Sequence, residues 1–258
     1  MKEFLCLFSA LSIVLMSSCS SDDSSTEESE TLLPKKILET TVEDGKSGSL
    51  TYTITYDGNK LKDIALSDAS RSVYTYTGDL ITKIESYKSS VLQSTEVYAY
   101  EGGKLVSRIV TREANKTIKE KLTFVYNTNG TITSKSSDII NNVEIPYDTT
   151  TTYVFSNGNL VSTEYVNGLK EKITSTFDDK KSPFSNITGV KLLLDLDDNF
   201  DFSSGNNILT NTIVTYDSDG LVDETVAETF TNKYNSNNFL TESIKGDAMN
   251  SEKLEIAY

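Results

Sequence analysis

The chain has 258 residues, which is enough for one large domain or two small ones with a substantial core. Its formal net charge is −14 and no basic block interrupts the acidic field, which argues against a nucleic-acid partner. The sequence contains no histidine, so the usual neutral-pH general base and the commonest metal ligand are both missing.

The first segment in chain order predicts export and a lipid anchor. Lys2 is followed by an apolar run over residues 4–16 and by small residues up to Cys19. The run is too short to span a bilayer comfortably, which is typical of a signal peptide. The block "LMSSC" resembles a bacterial lipobox, which implies that residues 1–18 are removed and that Cys19 carries lipid as a membrane anchor. The alternative is an ordinary secretory cleavage site with an incidental Cys19.

Residues 19–34 predict a flexible acidic tether between this cysteine and a folded domain. The segment "SSDDSSTEESETLLP" contains five acidic residues and no basic residue. It offers too little apolar surface to offset the entropy of ordering. Acidic residues directly after the anchor cysteine also resemble the surface-export signal of Bacteroidota lipoproteins. That resemblance implies an outer-membrane lipoprotein exposed at the cell surface.

From residue 35 onward, alternating side chains predict β-strands. In "SLTYTITYDGNKL", Leu50, Tyr52, Ile54 and Tyr56 share one parity, while threonines occupy the other. One face of each strand therefore packs and the other is wet. Clusters of Gly, Asn and Asp between such runs are typical of tight hairpin turns.

A short phrase recurs along this region: an aromatic residue, a Gly/Asn/Asp turn and an aliphatic or aromatic residue after it. Because the first aromatic can cover the later residue across the strand pair, each phrase predicts one hairpin with a narrow apolar stripe. Neighbouring hairpins must stack to bury it. The residue pairs that bracket these turns are Tyr56 and Leu61, Tyr76 and Leu80, Tyr100 and Leu105, Tyr126 and Ile132, Phe155 and Leu160, Tyr216 and Leu221, and Tyr234 and Phe239.

These phrases resemble the units of YD-repeat (Rhs-like) proteins, and more closely those of a family of Bacteroidota surface lipoproteins in which phrases such as "FDDKKSPF" also occur. The resemblance covers residues 50–258 and implies an antiparallel β-sheet protein without a known activity. We therefore expect residues 35–258 to form an all-β domain. Its hairpin meander would make a curved sheet or an open barrel-like or solenoid structure.

Two stretches interrupt the rhythm. Between Phe177 and Tyr216, the run "VKLLLDL" fits either a buried strand or a short helix. Pro146 predicts a loop or an edge strand, since proline cannot donate to a ladder. Both are interpreted as elaborations of one domain.

One acidic loop is a weak candidate for a metal site. The segment "DLDDNFD" contains four oxygen donors at alternate positions, as at the start of an EF-hand calcium loop. Phe200 stands where the turn glycine belongs and no glutamate closes the motif, so a solvated acidic loop is the alternative. The four residues are Asp195, Asp197, Asn199 and Asp201.

For function, the sequence favours a binding or scaffold module over an enzyme. No serine–histidine pair, nucleophile elbow or phosphate-binding loop is present, and no cofactor is implied. Two carboxylates acting in an envelope glycoside hydrolase are the leading alternative, and a passive surface spacer is the third. Exposed rings among the 14 tyrosines could stack on sugars, so a carbohydrate is one hypothesis for the partner and a surface protein is another. Tyrosines at repeat-locked spacing favour packing positions instead, which leaves those on the wet face as the better site candidates.

Overall fold

The computed structural model describes residues 31–194 and 202–258. Short 3-10 helices cover Glu113–Asn115 and Val190–Leu192. The strands of the described residues are β1 (Lys36–Glu43), β2 (Lys46–Asp57), β3 (Lys60–Leu66), β4 (Ser70–Thr77), β5 (Leu80–Lys88), β6 (Val91–Glu101), β7 (Lys104–Arg112), β8 (Ile118–Tyr126), β9 (Ile132–Ile140), β10 (Val143–Ser156), β11 (Asn159–Asn167), β12 (Leu169–Phe177), β13 (Ile208–Tyr216), β14 (Val222–Tyr234), β15 (Leu240–Gly246) and β16 (Ser251–Ala257).

The strands form an antiparallel meander that closes into a barrel. Every strand pairs with its sequence neighbours, and β1 also pairs with β16. The closing ladder places Ile37 opposite Ile256 and Val42 opposite Ser251. The all-β meander is thus confirmed, but the expected curved sheet or open barrel-like or solenoid structure is wrong because the first and last strands join. Closure satisfies the two edges that an open sheet would expose.

Alternation along the strands separates an inner from an outer face. In β2, Tyr52 and Ile54 are buried inside, whereas the alternating residues Thr53 and Thr55 are exposed. Ile81 and Leu105 on other strands are fully buried in the same interior. The period-two pattern therefore sorts the side chains as the sequence predicts.

One end of the barrel is closed by the long connection between β12 and β13. We call residues 178–194 and 202–207 the plug. The backbone N–H of Thr188 donates to the carbonyl of Asn59, at 2.9 Å, in the β2–β3 turn. The N–H of Gly205 donates to the carbonyl of Gly158, at 3.1 Å, in the β10–β11 turn. These two turns lie at the same end of the barrel, so the plug crosses that end, which we call the closed end. No described residue crosses the opposite end, which we call the open end.

Apolar side chains of the plug complete the barrel core. The rings of Phe184 and Phe202 meet edge to face with centroids 4.7 Å apart. Ile187, Val190 and Leu193 are buried in the same cluster as the inward-facing strand residues. The run "VKLLLDL" forms a 3-10 turn at its start, which resolves the first part of that ambiguity as helical.

The recurring aromatic residues line the closed end and join neighbouring hairpins. The ladder between β3 and β4 ends at Asp63 and Val73, and beyond it the Tyr76 hydroxyl accepts a bond of 3.1 Å from the N–H of Leu61. Two further tyrosines act in the same way, since Tyr100 donates to the carbonyl of Ile81 and Tyr258 donates to that of Leu240. The hydroxyls thus continue the seams where the backbone ladders stop. We call Tyr56, Tyr76, Tyr100, Tyr234 and Tyr258 the tyrosine belt.

The unit at Tyr216 does not share this role, although the sequence groups it with the others. Leu221 and Val222 after its turn are 66% and 59% exposed, whereas Leu61 and Leu105 are buried. The reason is the number of strands between successive turns, which is even for most units and odd for this one. Most units follow one another after two strands and return to the same end, but Tyr216 ends β13, one strand after Phe177 ends β12. The Tyr216 turn therefore lies at the open end.

Pro146 lies inside β10, next to an irregularity in the pairing of that strand with β9. The register is regular from Val143 to Pro146 and resumes at Thr150. On its other side, β10 pairs with β11 only from Thr150 onward. The proline thus occupies a strand segment with one partner strand, in agreement with the predicted edge position.

Candidate functional site

The open half of the barrel interior contains a polar cavity, which we call the mouth pocket. Its volume is about 620 Å³ and it lies against β7 to β11. Charged side chains and two tyrosines line it, in contrast to the apolar closed half. The side chains that define it are Arg108, Arg112, Glu120, Asp138, Tyr147 and Tyr165.

Arg112 and Glu120 form a two-pronged ion pair in this pocket. Their nitrogen–oxygen distances are 2.8 Å from Nε and 3.1 Å from the second guanidinium nitrogen. Hydrogen bonding to Arg112 holds the pKa of Glu120 below its ordinary value. Glu120 is therefore a carboxylate at neutral pH, suited to accept hydrogen bonds and unsuited to act as a proton donor.

A second, more enclosed pair lies deeper in the same wall. Arg108 Nε lies 2.7 Å from Glu96 Oε2, and both side chains are largely buried. The Tyr98 hydroxyl donates to the same carboxylate oxygen at 2.7 Å. Because both groups hold Glu96, the pair forms a rigid polar base beneath the mouth pocket.

Two tyrosines of the pocket are exposed to solvent and do not belong to the packed core. Tyr147 is 50% exposed and Tyr165 is 41% exposed, whereas Tyr98 in the core is 3% exposed. The Tyr147 hydroxyl donates to a carboxylate oxygen of Asp138, which raises the pKa of Tyr147. Tyr147 is thus positioned by a carboxylate, and both rings present surface to solvent.

A smaller cavity of about 370 Å³ lies between the plug and the wall formed by β13 to β16 and β1. Its amide side chains already have partners: Asn206 donates to the carbonyl of Lys180, and Asn211 donates to Glu228. Lys245 lies 3.4 Å from Glu228 and 3.3 Å from Glu252. We therefore interpret this cavity as the space in which the plug packs against the barrel wall.

The residues predicted for lipidation and metal binding lie outside the described residues. Within residues 31–194 and 202–258, no group of three or more acidic or cysteine side chains is placed to hold a metal ion. The described part of the chain also has no helix that is both long and apolar enough to cross a membrane. The site residues outside the description are Cys19, Asp195, Asp197, Asn199 and Asp201.

The arginines of the mouth pocket were not predicted as site residues from the sequence, and a bulge explains why. Tyr100 faces Leu105, but Tyr98 faces Arg108, so β7 has one extra residue between these pairs. Leu105 and Arg108 both point inward although their numbers differ in parity. A strict alternation counted from Leu105 would place Arg108 outside.

Comparison with known proteins supports the fold. A crystal structure of a porin-like protein from Bacteroides uniformis ATCC 8492 is similar with a TM-score of 0.53 and 12% identity, over 87% of this chain and 96% of that chain. A porin-like protein from Bacteroides vulgatus ATCC 8482 is similar with a TM-score of 0.45 and 10% identity, over 88% and 98% of the two chains. No family model and no curated sequence matches the chain. At this identity the first likeness shows a shared β-barrel fold.

Proposed function

We propose that the protein is a lipid-anchored cell-envelope binding module whose mouth pocket takes a carbohydrate. The observation that carries this proposal is the cup shape of the barrel. The plug fills the closed end, whereas the open half has a polar cavity with two exposed tyrosine rings. A concave site with a few fixed polar groups is the usual form of a small-ligand site.

The chemistry of the mouth pocket suits a sugar. The rings of Tyr147 and Tyr165 can stack on the apolar face of a pyranose, since each has an exposed ring and a polar tip. Arg112 and Glu120 place planar donors and acceptors nearby, fixed by their mutual ion pair. Paired charges also leave the pocket without a dominant sign, which favours a neutral ligand over a phosphate.

The described chain enters the barrel at its closed end. The carbonyl of Leu32 accepts a bond from Asn186 of the plug at 3.0 Å. The carbonyl of Pro34 accepts one from Tyr56 of the tyrosine belt at 2.6 Å. The mouth pocket therefore lies at the end of the barrel opposite residues 32–34, which leaves its opening clear of this segment.

The outer face supports attachment through lipid rather than through the barrel wall. Lys233 and Lys253 lie 2.7 Å and 3.3 Å from Glu242 on the outside of β14 to β16. Basic side chains that face lipid cost about 2–4 kcal/mol each at the bilayer midplane. Such an outer face favours water, so the proposal places the barrel on a membrane surface and gives the membrane contact to the acylated Cys19.

The carbohydrate proposal is tested with a glycan array probed by the full chain. We expect binding of a neutral glycan, and Tyr165→Ala should weaken it by about tenfold or more, because a stacking ring is lost. The matched control is Tyr216→Ala, since Tyr216 lies at the same end of the barrel but packs under Lys170, 4.2 Å from its ring. Equal losses in both variants would contradict the site, and an array without any binding would favour a passive spacer.

The anchor has a separate test. We expect the full chain made in a bacterial host to incorporate labelled fatty acid and to fractionate with membranes. Cys19→Ser should abolish both results, because the thiol is the acylation site. Cys6→Ser is the matched control, since that residue lies in the segment expected to be removed. Labelling that persists in Cys19→Ser would overturn the anchor without bearing on the mouth pocket.

The enzymatic alternative rests on Glu228 and Glu252, two carboxylates that share one cavity wall. Lys245 lies between them, and burial alone would lower its pKa, but the two carboxylates outweigh burial and raise it. The two carboxylates share one cation as ion-pair partner, at 3.4 Å and 3.3 Å, which is typical of a structural ion-pair cluster. This arrangement supports a binding module over a hydrolase.

A further inference from the structure

One stretch of barrel wall at the open end has a strand on one side only. β14 pairs with β13 along its first half, from Val222 opposite Tyr216 to Thr229 opposite Thr210. It pairs with β15 only from Phe230 onward. Among the described residues, no strand therefore covers the second side of residues 222–229. A row of backbone donors and acceptors of this kind is a template for an added strand.

This edge lacks the protection that a comparable edge in the same barrel has. β10 also extends past its neighbour β11, but Pro146 and the irregularity up to Thr150 interrupt that segment. Residues 222–229 read "VDETVAET", with no proline and no lysine. Proline, lysine and bulges are the usual devices that block strand addition, so the β14 edge is the more accessible of the two.

A groove lies beside the uncovered edge, in the place that an added strand would take. Its volume is about 500 Å³, and it runs between β14 and the β15–β16 turn, with the end of β1 as its far wall. The turn is braced against the β1–β2 turn, since the N–H of Gly45 donates to the carbonyl of Met249 at 3.0 Å. The groove is lined by Glu43, Ala227, Glu228, Lys245, Asn250 and Glu252, and Lys245 is already paired with Glu228 and Glu252.

The charged side chains around the groove indicate which kind of strand would bind there. Asp223 and Glu224 are exposed on opposite faces of β14, and Glu43 is exposed across the groove. Val222 and Val226 add apolar surface with 59% and 42% exposure. An extended segment with basic and apolar residues on both of its faces would match both features, because cross-strand pairs of opposite charge and of aliphatic side chains stabilise a sheet.

We propose that residues 222–229 of β14 form a docking edge for an extended, basic and apolar segment of a partner protein. Charge excludes the two other occupants. A second copy would set Glu224 and Asp223 against like charges, and the tether over residues 19–34 has five acidic residues and no basic one. The docking edge is separate from the mouth pocket, which lies against β7 to β11.

Hydrogen exchange of the full chain, followed by mass spectrometry, tests the docking edge. The probe is a synthetic peptide that repeats Lys-Lys-Val-Val, which presents lysine and valine on both faces of a strand, and the matched control peptide repeats Glu-Glu-Val-Val. We expect the lysine peptide to slow exchange at residues 222–229 and the glutamate peptide to leave it unchanged. The double variant Asp223→Lys with Glu224→Lys should bind the lysine peptide about tenfold or more weakly. Asp57→Lys with Glu101→Lys, at exposed turns of the closed end, is the matched charge control and should bind normally.

Each other result overturns the proposal. No added protection at residues 222–229, equal protection by both peptides, or protection at residues 143–149 instead would each remove the docking edge. Protection without peptide that grows with protein concentration would identify a second copy as the occupant. Protection without peptide that is independent of concentration would identify a segment of the same chain.

Discussion

Above pH 10 we expect the barrel to unfold cooperatively, because the tyrosine belt must stay protonated for the barrel to hold. Burial raises the pKa of Tyr76 to about 12 and raises the pKa values of Tyr56, Tyr100 and Tyr258 further. Burial, with the neighbouring Asp178, also raises that of Tyr234.

The sign follows from the order of proton loss. A tyrosine in the unfolded chain ionises near pH 10, whereas the belt tyrosines in the barrel ionise later. As the pH rises above 10, the unfolded chain binds fewer protons than the folded chain, so the free energy of unfolding falls. This contribution is fully present below pH 10 and is lost through pH 12 and above.

The measurement follows the β-sheet circular dichroism and the ultraviolet absorbance of tyrosinate in one pH titration. We expect most tyrosinate absorbance to appear together with loss of the β signal. Tyr100→Phe should make the pH dependence shallower, since one coupled proton is removed, whereas Tyr216→Phe, outside the belt, is the matched control. A smooth rise in absorbance with an intact β signal would contradict the expected coupling.

The hairpins could be predicted because their signals are local. The ladders confirm the expected aromatic–aliphatic pairs for Tyr56 with Leu61 and Tyr100 with Leu105. At three other turns the aromatic instead faces the residue one position later, as for Tyr76 with Ile81, Tyr216 with Val222 and Tyr234 with Leu240. Positive φ values at Gly58 and Gly78 are those that such turns require. The phrase does not predict the hydrogen bond by which a tyrosine hydroxyl joins its own hairpin to the preceding one.

Barrel closure could not be predicted, because it depends on contacts between the ends of the folded chain. Val42 meets Ser251 only when 16 strands, their tilt and their stagger agree. No single hairpin contains that information. The same strands with another stagger would form the curved sheet that the sequence equally suggests.

The plug was visible in the sequence as an interruption, but its role was not. Its buried residues Phe184, Ile187, Val190 and Leu193 recur every three positions, a spacing that fits 3-10 turns and not a strand. Strand alternation has a period of two residues, so it does not reveal a period of three. The mouth pocket was equally hidden, because its arginines follow a bulge and its two tyrosines lie outside the recurring aromatic–turn phrases.

Gly189→Ala is expected to destabilise the barrel strongly, because it acts where the plug meets the wall. Gly189 has a φ of 83°, and a Cβ there would lie 2.6 Å from the carbonyl oxygen of Asp79. Its neighbour Thr188 accepts a hydrogen bond from Tyr76 at 3.0 Å, and Val190 after it is fully buried. The plug cannot shift to relieve the clash without breaking these contacts.

We expect Gly189→Ala to lower the free energy of unfolding by about 3 kcal/mol or more and the melting temperature by roughly 6–12 °C. Gly168→Ala is the matched control, since Gly168 has a φ of 71° in a tight turn but nothing within 4 Å of an added Cβ. It should cost about 1–2 kcal/mol from backbone strain alone. Calorimetry gives both values, and limited proteolysis reports whether the plug is released. Equal destabilisation in the two variants would mean that the close approach to Asp79 does not hold the plug, and the closed end would then depend on the tyrosine belt.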